Sequence, residues 1–292
     1  MTVHLEGFGW TGSVLARRLE ALGVDFTWSD SDSPINAWQA STGLVYPTGE
    51  PDSEEARRQW LAWHERGLFA PHSQIVRYWY SHKAHPHGLK VKADLDVGWL
   101  RRSPELAVQL NVARIVEDTR ARFAGCRVAA PAAGARVVVC HGWGPRTTHS
   151  VWGWSRQVRL SVPADIAGDG LYSMNLHRSR FEFTYAYAVP GRPGWHYAGS
   201  SMVRQREPRT LDLDKHFARW LEAVAEVAPP VKVLEMDPVT LQGWRPKGET
   251  LTWEPFEDGD RLYVPPLYHS GVRWAPLVSS ALLERLGLPT AA

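Results

Sequence analysis

The spacing of apolar positions changes several times along the chain, and each change marks an element. Thr2–Glu6 reads as a short strand, Ser13–Leu22 repeats leucines at helical spacing (Leu15, Leu19, Leu22), and Val24–Trp28 returns to a strand after Gly23. Residues 52–66 predict a helix capped at Asp52 or Ser53 and carrying Trp60, Leu61 and Trp63. The stretch 73–92 is strand-like, and 105–123 predicts mostly helix through Leu106, Leu110 and Ile115. Arg136–Cys140 is an apolar run of the kind found in strands buried on both faces. Strand-like runs follow at 154–162, 171–189 and 195–203, then a helix over 213–227 (Phe217, Trp220, Leu221, Val224) and a strand at about 231–242. Arg261–Pro265 predicts one more strand. A C-terminal helix runs to about Leu286, with Val278, Ala281 and Leu282 on one face and Pro276 in its first turn.

The first chemistry lies between the first strand and the first helix. Gly7-Phe8-Gly9-Trp10-Thr11-Gly12 occupies that junction, and Asp30 stands 23 positions past Gly7 (30 − 7), at the end of the second strand. This is the context of a dinucleotide-binding βαβ unit. Gly7 permits the tight turn, Gly9 lets the backbone approach a pyrophosphate, and Gly12 lets helix and strand pack closely. The helix start offers N–H groups and a positive dipole to phosphate, and Asp30 accepts from ribose hydroxyls. The motif leaves NAD(P) and FAD open.

Composition narrows the class. A chain of 292 residues, 44% hydrophobic and 22% charged, builds one large or two modest domains and is neither disordered nor collagen-like. Cys126 and Cys140 are too few for a disulfide scaffold, so a reducing compartment is expected. His4 and Glu6 interrupt the first apolar stretch, so no signal peptide is read there. No run reaches the ~18 apolar residues of a membrane span, and the expectation is a soluble, cytoplasmic protein. Arginine makes up 27 of the 33 cations, which fits a coding bias or bidentate recognition of carboxylate and phosphate. Fifteen tryptophans serve either as core or as stacking surfaces. His82, His85 and His87 are irregularly spaced with no local carboxylate, so they read as a solvated loop and no metal is expected.

Four segments, in order, resemble the D-amino-acid oxidase / glycine oxidase family of FAD-dependent amine oxidoreductases. They are the Gly7–Gly12 turn with Asp30, the Val137–Gly142 strand and turn, Gly243-x-Arg245-Pro246, and the helix start Gly271-x-x-x-Ala275-Pro276. Ser41-Thr42-Gly43-Leu-Val-Tyr-Pro47 is also similar to the family's small-residue loop under the flavin. The resemblance frames nearly the whole chain, with a looser match over about 150–240. It implies an α/β fold with an α+β insertion, in which a Rossmann-like FAD-binding domain (1–72, 104–150 and 240–292) interleaves with a mostly antiparallel β substrate domain (73–103 and 151–239). It implies noncovalent FAD, since no clear Cys or His attachment signature is present. The cofactor contacts it implies are Gly7, Gly9, Trp10, Thr11, Gly12 and Asp30; Ser41, Thr42 and Gly43; Val128 on the adenine side; Gly142 and Trp143; and Gly271, Val272, Arg273 and Trp274, whose N–H groups would meet the flavin N1/C2 edge.

The activity implied is oxidation of a glycine-like amine or amino acid to an imine, by hydride transfer from the α C–H to flavin N5, with the protein positioning substrate and excluding water. Arg245 matches the arginine that pairs with a substrate carboxylate, and the alternative is an ordinary ion pair with a nearby Glu or Asp. His269 stands where glycine-oxidising relatives carry an arginine, and a histidine there either titrates near neutral pH or has no role. Tyr187 is the candidate active-site tyrosine, with Tyr185, Tyr46 and Tyr268 as others. The substrate is either a small free molecule or an amino-acid-like group on a nucleic-acid base. An isoelectric point of about 8.6 and the clusters Arg178/Arg180 and Arg204/Arg206/Arg209 lean toward the second. A net charge of only +2 and the solvated faces such clusters usually form favour the small molecule, with the nucleic-acid group as the alternative. A non-catalytic flavin-binding protein is the third reading.

Overall fold

The computed structural model describes residues 2–32, 36–48, 50–81, 93–141, 146–168, 171–178, 183–205, 212–247, 252–267 and 271–290. The chain opens β1 (Val3–Glu6), α1 (Trp10–Ala21), β2 (Phe26–Ser29), β3 (Leu44–Val45) and α2 (Pro51–Glu65). It continues through β4 (Ser73–Ser81), β5 (Leu95–Asp96), β6 (Leu100–Leu110), α3 (Val112–Arg122), β7 (Arg136–Val139), β8 (His149–Ser161) and α4 (Ala164–Ala167). The remainder is β9 (Tyr172–Arg178), β10 (Phe183–Ala188), β11 (Trp195–Gln205), α5 (Leu213–Val227), β12 (Lys232–Lys247), β13 (Phe256–Asp258), β14 (Arg261–Tyr263) and α6 (Gly271–Arg285).

Two sheets result. The smaller has the order β13-β14-β7-β1-β2, parallel except at β13, with Val3, Leu5 and Val138 buried against Leu15 and Leu19 of α1 and Val278 and Leu282 of α6. That is the Rossmann-like part expected from the sequence. The larger runs β12-β8-β11-β10-β9-β4-β6-β3, with β5 beside β6, and every pair but β4–β9 is antiparallel. The expected boundaries at 103/104 and 239/240 fall within the spans of β6 and β12, each where the strand shifts register against its partner.

Alternation along the strands gives the large sheet two different faces. One carries Trp79, Trp152, Trp154, Met174, Ala186, Ala198 and Trp244, and α5 seals it with Phe217, Trp220 and Val224. This answers the tryptophan question in large part: Trp60, Trp79, Trp152, Trp154 and Trp220 are wholly buried. The other face is tyrosine-rich and holds the candidate site.

Three local expectations are corrected. Residues 105–110 belong to strand β6, because the apolar positions 106, 108 and 110 fit a two-residue repeat, and the helix starts only at Val112, where the Asn111 side chain accepts from Arg114 N at 3.3 Å. Helix α2 begins at Pro51 with Glu50 as its N-cap, ahead of the caps expected at Asp52 or Ser53, since proline's fixed φ starts the helix. Pro276 lies inside α6, which begins five residues before it at Gly271.

Candidate functional site

The first part of the site is the β1–α1 turn. Gly7 has φ +92°, and a Cβ there would sit 2.7 Å from the His141 backbone nitrogen. A Cβ on Gly12 would fall well under 3.0 Å from the Gly7 carbonyl oxygen, so the turn packs tightly enough to demand glycine at both positions. Helix α1 starts with Gly9 as N-cap and no side-chain cap, leaving its first N–H groups for another partner. The Trp38 ring stands over Gly9, 3.1 Å from where a Cβ would be, and its Nε1 is buried with no hydrogen-bond partner.

At the end of β2, Asp30 Oδ2 accepts from the Phe8 backbone N–H at 3.1 Å and pairs with Arg120, while among the described residues Oδ1 accepts from Asp32 N at 3.3 Å. Arg120 donates from Nε to Phe8 O at 2.9 Å, and its guanidinium lies between the Trp28 and Trp38 rings, 5.8 and 5.5 Å from their centroids. Val128 runs beside β2 and donates its N–H to Trp28 O at 2.9 Å.

The second part is the start of α6, which lies against the first. Trp10 Nε1 donates to Gly271 O at 3.2 Å, across 261 positions of sequence. Trp10 stacks on Trp60 at 5.7 Å, and Trp60 Nε1 donates to Val272 O at 3.0 Å and Arg273 O at 3.2 Å. The reason is Pro276: it has no N–H to give the carbonyl four residues back, which is that of Val272. The Trp60 indole supplies the missing donor. Trp274 is buried in the core of the parallel sheet.

The third part is the tyrosine face of the large sheet. Gly43 (φ +66°) turns the chain under Leu110, Thr42 O accepts from Gln109 Nε2, and Ser173 Oγ donates to Gln109 Oε1 at 3.2 Å. Ser41 precedes this turn, half-buried. Asn175 joins two strands, donating to the Tyr78 hydroxyl and accepting from the Tyr187 hydroxyl, both at 2.5 Å. Tyr185 stacks on Tyr187 at 4.4 Å and Tyr46 on Tyr78 at 4.8 Å. Burial pushes the phenols of Tyr78, Tyr185 and Tyr187 up from their ordinary value of 10.0, so all three stay protonated at neutral pH.

Two cations reach this face. Gly243 packs so tightly under the 36–37 segment that a Cβ would lie 2.7 Å from Asn36 O, which places the half-buried Arg245, two residues on, on the same face of β12. Arg245 acts electrostatically on Tyr185, favouring its ionised form against the larger effect of burial. Arg273 is 9% exposed, holds its guanidinium 4.5 Å from the Tyr46 ring centre, and leaves Nε without a partner. Neither arginine pairs with a carboxylate among the described residues.

The structure thus brings together Gly7, Gly9, Trp10, Thr11, Gly12 and Asp30 at one end, Gly271–Trp274 beside them, and Thr42, Gly43, Tyr187 and Arg245 on the large sheet. Gly142, Trp143, Tyr268 and His269 lie outside the described residues, as do His82, His85, His87, Arg180, Arg206 and Arg209. Arg120, Trp38, Asn175 and the side chain of Arg273 are additions that sequence reading missed. Only Arg273 fell within a quoted motif, and there for its backbone.

Compared by sequence, no family model and no curated protein matches the chain. Compared by structure, it superposes on iminodiacetate oxidase from Chelativorans sp. BNC1 with a TM-score of 0.72 at 15% identity, covering 99% of this chain and 96% of that one. Glycine oxidase from Bacillus cereus gives 0.70 at 14% identity, over 98% and 94% of the two chains. An FAD-dependent oxidoreductase from Pseudomonas aeruginosa gives 0.57 at 14%, over 100% and 93%. The chain has the fold of these flavin-type oxidoreductases, end to end.

Proposed function

We propose that the protein binds FAD noncovalently and oxidises a small amine or amino acid to an imine. The observation that carries this reading is the meeting of the glycine turn with the start of α6 through Trp10 and Gly271, beside a tyrosine face bearing two cations without carboxylate partners. The fold shared with iminodiacetate oxidase and glycine oxidase supports it.

The residues present suit the cofactor. The N–H groups of Trp10, Thr11 and Gly12 and the buried Trp38 Nε1 are donors for a pyrophosphate. Asp30 Oδ1 is left for a ribose hydroxyl once Oδ2 is engaged by Phe8 and Arg120. Val128 would line the adenine side, and the N–H groups of Gly271–Trp274 would stabilise negative charge at the flavin's C2 edge. FAD held there supplies a two-electron acceptor for the hydride leaving the substrate Cα.

The chain's own side chains do the rest. Arg245 forks onto a substrate carboxylate by two parallel hydrogen bonds and fixes the Cα. The buried phenols of Tyr185 and Tyr187 present neutral hydroxyls and keep water out. Neither cation has a carboxylate partner among the described residues, and the amine binds with its lone pair available for imine formation.

Purified protein should show the flavin absorption bands, and a colourless protein that takes up a nicotinamide cofactor instead would end this reading. Arg245→Ala should lower kcat/KM for a carboxylate-bearing amine by about 100-fold or more while flavin content holds, as expected for loss of a charge-assisted bidentate pair. Unchanged turnover would remove the role given to Arg245.

A further inference from the structure

A guanidinium nine-tenths buried, with no counter-charge, is costly unless something anionic completes its surroundings. Arg273 is such a group. Among the described residues its Nε has no partner, the Tyr46 ring centre lies 4.5 Å from its guanidinium, and the tyrosines beyond are held neutral by burial. Arg245 lies near the same tyrosine cluster, close enough to act electrostatically on Tyr185. It acts on Tyr185, which stacks on Tyr187, and Asn175 links Tyr187 to Tyr78 and so to Tyr46 and Arg273. The cluster therefore carries two neighbouring arginines, and neither has a carboxylate partner among the described residues.

We propose that the substrate is an amine carrying two anionic groups, one bound by Arg245 and the other by Arg273. This rests on the amine-oxidising reading above and narrows it. Arg273 acts as a specificity-determining residue: it neutralises the second anion, which would otherwise meet only neutral phenols and ring faces. A substrate with a single carboxylate leaves Arg273 buried and uncompensated, and binds more weakly for that reason.

The test uses the flavin-loaded protein and two ligands that cannot be oxidised, malonate and acetate, with binding followed by perturbation of the visible flavin spectrum. Malonate should bind at least about tenfold more tightly than acetate. Arg273→Met should erase that preference, bringing the malonate-to-acetate affinity ratio to about one, and Arg273→Lys should restore part of it. Equal affinities in the unaltered protein overturn the proposal. So does a preference that survives Arg273→Met, and so does a variant whose ligand affinities hold while its flavin reduction potential shifts, which would place Arg273 against the cofactor. If the purified protein carries no flavin, the functional reading above fails on its own. The same malonate-to-acetate comparison then runs by ligand-induced shift in Tm, with Arg273→Met as before.

Discussion

Adding one carbon at position 12 would drive it into the Gly7 carbonyl oxygen, an atom of backbone that cannot swing aside. Gly12→Ala should therefore cost about 2 kcal/mol or more, in the range of overpacked cores, and should also empty the cofactor site; urea denaturation and flavin content measure the two. Gly125→Ala is the control. A Cβ there meets nothing within 4 Å and φ is not positive, so the change should be neutral or stabilising by up to about 1 kcal/mol. Equal losses at both positions would contradict the packing account. Gly12 was legible in the sequence because its constraint is local, set by a turn five residues earlier. Arg273 was not, because Tyr46, Asn175 and Tyr187 come from three distant strands or loops and no spacing announces their meeting.

Helix α6 survives an internal proline because α2 lends it an indole N–H. Trp60→Phe removes the donor but keeps most of the ring, leaving the half-buried Val272 carbonyl without that donor at a cost of about 1 kcal/mol or more. In a Pro276→Ala background the helix supplies its own N–H, and the same change should cost clearly less. A double-mutant cycle in urea reads the coupling, and additive effects would show that the indole does not serve that carbonyl. Among the elements, β1, α1, β2 and β7 could be read directly, since each has one clean period and glycine punctuation. The 105–123 stretch misled because a strand and a helix abut with only Asn111 between them, and the apolar residues of one continue into the spacing of the other.

Both halves of the molecule bury a neutral histidine. His4 sits in β1, its ring nitrogens bonded to Thr27 Oγ1 at 2.9 Å and Ser29 Oγ at 3.0 Å, and burial lowers its pKa from the ordinary 6.5. His196 sits in β11, where burial lowers its pKa to about 4. In the unfolded chain both bind protons as pH falls through 6.5, whereas folded His196 resists until about 4. The unfolded state then holds more protons, so stability present above about 6.5 declines steadily toward pH 4. His196 alone is worth about 3 kcal/mol over that window. Denaturation midpoints measured between these pH values should fall, and His196→Phe should flatten the slope; a slope unchanged by that substitution would assign the effect elsewhere.

The link between Trp10 and Gly271 also bears on how the protein is made. On a ribosome the glycine turn emerges well before its partner, which leaves the exit tunnel more than 250 residues later. Over that interval the nascent chain carries a half-built cradle, with Trp10 lacking the carbonyl it donates to in the folded protein. A cofactor held between the two segments would be captured only once both have emerged, entering an assembled cradle instead of templating a growing one.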